Sequence, residues 1–409
     1  MKKLKFLTDE VDLSTFEELY NQFFSSYEEK FDKTPSTIRA NFLKNLIRIY
    51  EKERRGLTEL HSKYDQQLRY MNNADSIDEL VEIHNNLNCV TGDIFMRTRS
   101  VTELHARCTN YRDRLTLKLL ALTKKQMNSK LDPAKNSFAW IRMGSTGRDE
   151  QTLITDQDNL LVYKNKEDKN YYNEFAIKIV DNLEKVGFAR CKGNIMPTNE
   201  KWIGTLSEWR GKLHSYVADT ENLVDLIVLT DAKYSGGNYP LGRAFIKETR
   251  TVLKTYYASF KAIAKATVLM PVALTIFRNF KTEKKGEYKD MLNVKNQGWL
   301  PLIMITLLFS LENDIWETNT IRRIKLLEKL NLFEPQFSEN LMESYFILTT
   351  HKIIAQLDFL NDKTDTLTYF INPYKLQKDD QEKLRWALSV VDKFQRLASS
   401  SYNINEDAL

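Results

Sequence analysis

Asp156 and Asp158 stand two apart in the run Thr-Asp-Gln-Asp-Asn-Leu-Leu-Val-Tyr, residues 155–163, at the mouth of an apolar segment. In an extended chain, residues two apart point the same way, so both carboxylates face one side, about 7 Å apart along the backbone. Two ionised carboxylates that close repel each other unless a positive charge lies between them. Hard oxygen ligands at this spacing suit Mg²⁺, or Mn²⁺, which fills its remaining positions with water and phosphate oxygens. An acidic pair ahead of a strand is also an ordinary turn feature, so the pair alone decides nothing.

Three neighbours add to it. Gly144-Ser145 closes a candidate strand, with ten residues between that pair and Asp156, and Gly147 follows at once. Glycine lets a phosphate approach the backbone, N–H groups at a helix start favour an anion, and the Ser145 hydroxyl adds a donor. The plainer reading is a tight strand-to-helix turn; no Gly-Lys-Ser/Thr follows, so this is not a Walker loop. Arg148 comes next and suits either a bidentate grip on phosphate or an ion pair with Asp149 or Glu150. Asp231 ends the run Asp-Leu-Ile-Val-Leu-Thr-Asp, residues 225–231, read as a third strand, apolar on both faces. An acid there is costly unless it is paired or bound to metal.

The elements that must hold these groups follow from periodicity. Residues 1 to about 130 read as helical. Phe16, Leu19, Tyr20, Phe23 and Phe24 recur at helical spacing, Ser76 and Glu79 form a capping box, and Leu115, Leu119 and Leu122 share one stripe. Asn, Pro and Ser at 128–137 mark a linker. Strand, turn and strand then run from 138 to 163. A helix carries Phe175, Ile179 and Leu183 and ends at Gly187, another helix covers 205–217, and the third strand lies at 222–233. From 239 onward the chain is helical again. Its apolar run at 299–311 is too short to span a bilayer and reads as a buried helix, and the basic stretch 278–295 reads as a solvated loop. The expected fold is α+β: a small α/β core with a mixed sheet (131–240) between all-helical N-terminal (1–130) and C-terminal (241–409) domains.

Composition excludes several classes. With 409 residues, 42% hydrophobic and 28% charged, the chain is globular and too long for one core. Its 60 basic and 55 acidic residues are interspersed, which gives no strong nucleic-acid signal. Cys89, Cys108 and Cys191 offer no metal-ligand or disulfide spacing, and the five histidines are scattered. The first residues lack a signal-peptide core, so a cytoplasmic protein without membrane partners is expected.

Gly-Ser followed by Asp-x-Asp on a strand, with a later acid, resembles the DNA polymerase β-like nucleotidyltransferase superfamily. The longer Met-Gly-Ser-Thr-Gly-Arg-Asp-Glu-Gln-Thr stretch, residues 143–152, resembles more closely the bacterial signal-transduction nucleotidyltransferases, which are similar to the uridylyltransferase of the PII protein. Segments at 187–210, 226–237 and 292–311 resemble later parts of that family, so the likeness covers about residues 50 to 360. The resemblance implies that Gly144 and Ser145 hold the phosphates of an NTP, ATP among the candidates, and Gly147 and Arg148 join them as nucleotide-binding candidates by their place in the turn. It implies Asp156 and Asp158 as ligands of Mg²⁺, Asp231 as the third acid, and Lys295 as a triphosphate contact from the helical domain. The activity implied is transfer of an NMP to an acceptor hydroxyl, of a protein side chain or a small alcohol, with release of pyrophosphate. Two departures stand out: no CBS or cyclic-nucleotide-binding region is read ahead of the helices, and Lys233 stands where relatives often carry Arg. The alternatives are a catalytically silent nucleotide-binding scaffold and an enzyme that extends nucleic-acid ends. The latter calls for a concentrated basic groove with stacking aromatics, against which the dispersed charge speaks.

Overall fold

The computed structural model describes residues 36–127, 137–218, 222–254, 257–361 and 366–404; the helix read at 14–31 and all of the linker but Ser137 lie outside them. The chain divides into two units, Met1–His61 and Ser62–Leu409. In the first, residues 36–61 are helical and open α1 (Ser36–Asn73). In the second come α2 (Ile77–Thr98) and α3 (Val101–Met127). The Ser76 cap forms, its hydroxyl accepting from the Glu79 N–H at 3.2 Å, but the Glu79 carboxylate accepts from the N–H of Asp75 at 3.0 Å, one residue before the position a full capping box uses.

Next come β1 (Phe138–Arg142), a single helical turn α4 (Gly144–Gly147), β2 (Asp156–Gln157) and β3 (Asn159–Tyr163). After α5 (Lys169–Val186), β4 (Ala189–Arg190), β5 (Ile203–Thr205) and α6 (Leu206–Ala218), the chain forms α7 (Leu223–Thr230), β6 (Lys233–Gly237) and α8 (Tyr239–Lys254). The main sheet runs β5-β3-β1-β6, with β1 antiparallel to both β3 and β6, and β5 parallel to β3. It is therefore mixed. Both faces are covered, which is why β1 and β3 are buried throughout. Alternation divides their side chains. Trp140, Leu161 and Tyr163 join a core with Leu115, Leu119, Phe175 and Ile179, whereas Ile141, Leu160 and Val162 join one with Trp209, Leu213 and Phe245.

The third strand is not where the sequence put it. Residues 223–230 form helix α7, which buries Leu226, Leu229 and Thr230 and leaves Val224 64% exposed. A short apolar run carries no period that separates strand from helix. The strand that does pair with β1 is β6, whose sequence Lys-Tyr-Ser-Gly-Gly has little strand propensity. It needs its glycines: a Cβ on Gly237, at φ +86°, would lie 2.2 Å from the Phe138 carbonyl oxygen.

The remainder is helical, with α9 (Tyr257–Val268), a minor pair β7 (Leu292–Asn293) and β8 (Phe370–Ile371), and helices α10 (Leu300–Glu312), α11 (Thr320–Lys329), α12 (Pro335–Leu360) and α13 (Lys378–Ser401). Helix α10 is buried from Pro301 to Ser310, as its composition requires. The fold is α+β, a small mixed sheet flanked by helices on both sides in sequence. Among the described residues, no helix is long and apolar enough to cross a membrane.

Candidate active site

The turn α4 begins where β1 ends. Met143 is extended and donates its N–H to the Asp158 carbonyl at 2.9 Å, while its own carbonyl accepts from the Gly147 N–H at 2.9 Å. Both glycines of the turn are there for proximity. Gly144 has φ +56°, and a Cβ on it would fall 2.4 Å from Oδ2 of Asp158; one on Gly147 would fall 2.0 Å from the Asp231 carbonyl oxygen. Ser145 is half-buried.

Asp156 is exposed at the start of β2, and Asp158 is half-buried in the gap between β2 and β3. Their carboxylates come together, with the thiol of Cys191 beside them: one ligand atom from each of the three lies within 4.8 Å of the others. Burial, and then the charge of Asp156, push the Asp158 carboxyl up to about 7. Burial and the neighbouring Asp158 likewise push the Cys191 thiol up to about 11, so it stands as a protonated donor beside the carboxylate. Two carboxylates with one hard to ionise form a donor set that fits a divalent cation of the Mg²⁺ or Mn²⁺ type. A sulfur ligand is soft and suits such a hard ion less well than the two carboxylates do.

Asp231 sits at the C-terminal end of α7, 2% exposed, and both its oxygens are occupied. Oδ2 pairs with Nη1 of Arg148 at 2.6 Å and Oδ1 with Nη2 of Arg323 at 3.0 Å. Arg148 also holds Glu150, wholly buried, at 2.9 Å. Glu150 in turn accepts the N–H of Thr320 at 2.5 Å, at the start of α11. Thr318 and Asn319 donate to the carbonyls of Gly147 and Arg148 at 2.8 and 3.1 Å. The structure thus joins Asp156 to Asp158 and ties Arg148 to Asp231, but it does not bring Asp231 into the three-residue group. Lys233 pairs with Asp149 at 2.5 Å, and Asp149 also holds Arg142 at 2.9 Å.

The connection from Glu150 to Thr155 is mostly buried, so its backbone needs partners. Side chains supply them. His105 Nδ1 bonds the Gln151 carbonyl at 2.8 Å, Arg112 donates to the carbonyls of Thr152 and Leu153, and the Gln356 amide bonds both N–H and carbonyl of Ile154 at 3.3 and 3.1 Å. Gln356 also reaches the Tyr369 hydroxyl at 3.2 Å, and Lys295 holds its ammonium 5.0 Å from the Tyr369 ring centre. One turn before Gln356, Lys352 is 5% exposed, its ammonium 3.9 Å from the ring centre of Trp299. Burial first, then the positive charges of Lys295 and Arg148, bring Lys352 down to about 7. Lys352 thus lies buried within the electrostatic reach of Lys295, Arg148, Asp156 and Glu150.

Lys352, Cys191, Arg323 and Gln356 are not candidates on sequence grounds. Cys191 has no ligand-like spacing. The available signal for Lys352 and Gln356 is their position, four apart on the buried stripe of α12 that also carries Leu348.

Residues 85–222 match the family model described as "Putative nucleotidyltransferase DUF294", and residues 258–402 match the one described as "Putative nucleotidyltransferase substrate binding domain". No curated protein matches the chain. The two matches support membership of a nucleotidyltransferase family. The first begins inside α2, so it takes in α3 as well as β1 to β5; α7, β6 and α8 lie between the two matched stretches.

Proposed function

We propose that this protein transfers a nucleoside monophosphate from an NTP to an acceptor hydroxyl and releases pyrophosphate, using Mg²⁺ or Mn²⁺ held by Asp156 and Asp158. The observation that carries this reading is the packing of the Asp158 carboxylate against Gly144, within reach of Asp156. That contact places a paired acid directly on the glycine turn. When bound, the cation supplies charge stabilisation as the bond from the α-phosphorus to the leaving oxygen breaks.

The chain's own groups divide the rest. Gly144 and Gly147 let the turn pack directly against Asp158 and Asp231, and the Ser145 hydroxyl donates to the phosphate. Lys295 and Lys352 face the triphosphate from the helical side, and a bound polyanion relieves the repulsion between them. Arg148 positions the turn through Glu150 and Asp231. Asp231 stays the third acid of this reading, one that exchanges an arginine for the cation in order to act. The acceptor we favour is a protein hydroxyl.

The test is thermal unfolding with each NTP, with and without Mg²⁺, for wild type, Asp156→Ala/Asp158→Ala and Lys352→Met. An NTP at a hundredfold over its Kd adds about 2.7 kcal/mol of stability. A Mg²⁺-dependent shift in wild type, lost in the aspartate variant and at least tenfold weaker in affinity for Lys352→Met, is expected. Folded protein that shifts with no NTP would overturn the reading. The engagement of Asp231 by two arginines favours one rival, a scaffold that binds NTP without turnover. A bound NTP that never yields pyrophosphate with any acceptor pool would select it.

A further inference from the structure

A second cleft lies along α8, in the stretch that neither family model covers. Its volume is about 1020 Å³, and Lys233, Arg243, Lys247, Arg250 and Lys254 line it without a single acidic residue. The last four fall at helical intervals of four, three and four residues. They therefore form one stripe about 16 Å long on one side of α8.

Some of this charge is already answered: Lys233 pairs with Asp149 at 2.5 Å and Lys254 with Asp314 at 2.6 Å. Among the described residues, no carboxylate forms an ion pair with Arg243, Lys247 or Arg250. Aromatic rings alternate with these cations. Arg243 lies 5.8 Å from the centre of the Tyr239 ring, and Arg250 lies 5.6 Å from that of Trp316, whose carbonyl it also bonds at 3.3 Å. Tyr239, 54% exposed, meets Tyr234 edge to face at 5.2 Å.

From this juxtaposition we infer that the α8 cleft binds a short single strand of nucleic acid. A compact anion such as free phosphate needs converging donors, whereas these cations are strung out in a line. A linear polyanion matches that line, and an acidic peptide does not use the rings. Unpaired bases do, because every base has a face to stack on tyrosine, tryptophan or arginine. The near-even charge balance of the whole chain hides this groove: its stripe lies within residues 243–254, and Lys233 and Trp316 join it from other elements. The inference does not depend on nucleotidyl transfer at Asp156 and Asp158.

The test is fluorescence anisotropy of a labelled single-stranded uridylate dodecamer on the full-length protein, titrated at several KCl concentrations. Three neutralised phosphates give a slope of log K against log salt near −2, about 0.7 for each. Arg243→Glu/Lys247→Glu is expected to weaken binding at least tenfold and bring the slope to about −0.7. Arg243→Gln/Lys247→Gln, a milder change whose fold is checked by its melting curve, moves both in the same direction. The control Lys281→Glu/Lys284→Glu, in the basic loop away from the cleft, leaves them unchanged. Asp156→Ala/Asp158→Ala binds as wild type does. Equal displacement of the RNA by polyglutamate of matched charge would overturn the inference in favour of an acidic protein partner. So would binding that the α8 variants leave intact, or binding lost with the two aspartates.

Discussion

Asp158 bears the cost of its own position. A carboxyl raised to about 7 by burial and by Asp156 prefers to be protonated, so folding takes up a proton between its ordinary value and that one. The penalty is absent below about pH 4 and grows as pH rises through about 7. Asp158→Asn should therefore stabilise the metal-free protein by up to about 4 kcal/mol at pH 8 and by nothing near pH 3, since each tenfold change in proton affinity is worth about 1.4 kcal/mol. Urea unfolding of both proteins at the two pH values checks the sign. An equal effect at both pH values would mean that the carboxyl is not held out of its ordinary range. In the presence of saturating Mg²⁺ the advantage should reverse, because the variant loses the ion.

At the scale of elements, the α4 turn is the least replaceable piece. Gly147→Ala drives a methyl group into the Asp231 backbone, which cannot withdraw like a flexible side chain. The expected loss is about 3 kcal/mol, in the range of forced overpacking, and the melting temperature reports it. The turn is legible in the sequence because its glycines, the strands beside it and the Asp-x-Asp all lie within 26 residues, 138–163. The helices are legible for the same reason, since their period is local. Asp231 shows where this stops. Its position at the end of an apolar run is visible, but its partners Arg148 and Arg323 lie 83 and 92 residues away, so its state of pairing is not. Helix α7 reads as a strand because eight residues of this apolar kind satisfy either geometry. Strand β6 escapes notice because its glycines answer to the neighbouring Phe138 and Leu117 and not to strand propensity.

Across the whole molecule, the charged cluster of Arg148, Glu150, Asp231 and Arg323 ties the α4 turn and α7 to α11. Such buried pairs add little net stability over apolar packing, yet removing one member leaves a charge stranded. Arg323→Met is expected to cost about 3 kcal/mol, and combining it with Asp231→Asn should recover part of that loss. A double-mutant cycle in urea measures the coupling; simple additivity would show that the two groups do not sense each other. The largest apolar core among the described residues likewise draws on residues from Tyr64 to Val391.

The connection from Glu150 to Thr155 has a consequence for how the protein comes into being on the ribosome. Its partners come from α3, which is made before it, and from α11 and α12, which are made long after; Gln356 bonds Ile154 across 202 residues of chain. Contacts of that span form late, since a long loop must close before they stabilise anything. The sheet can assemble as soon as β6 emerges, but the segment that aims Asp156 has no fixed path until α12 has been synthesised and docked. In a nascent chain the approach to the paired aspartates is thus set only after Gln356 of α12 has emerged, 202 residues beyond Ile154.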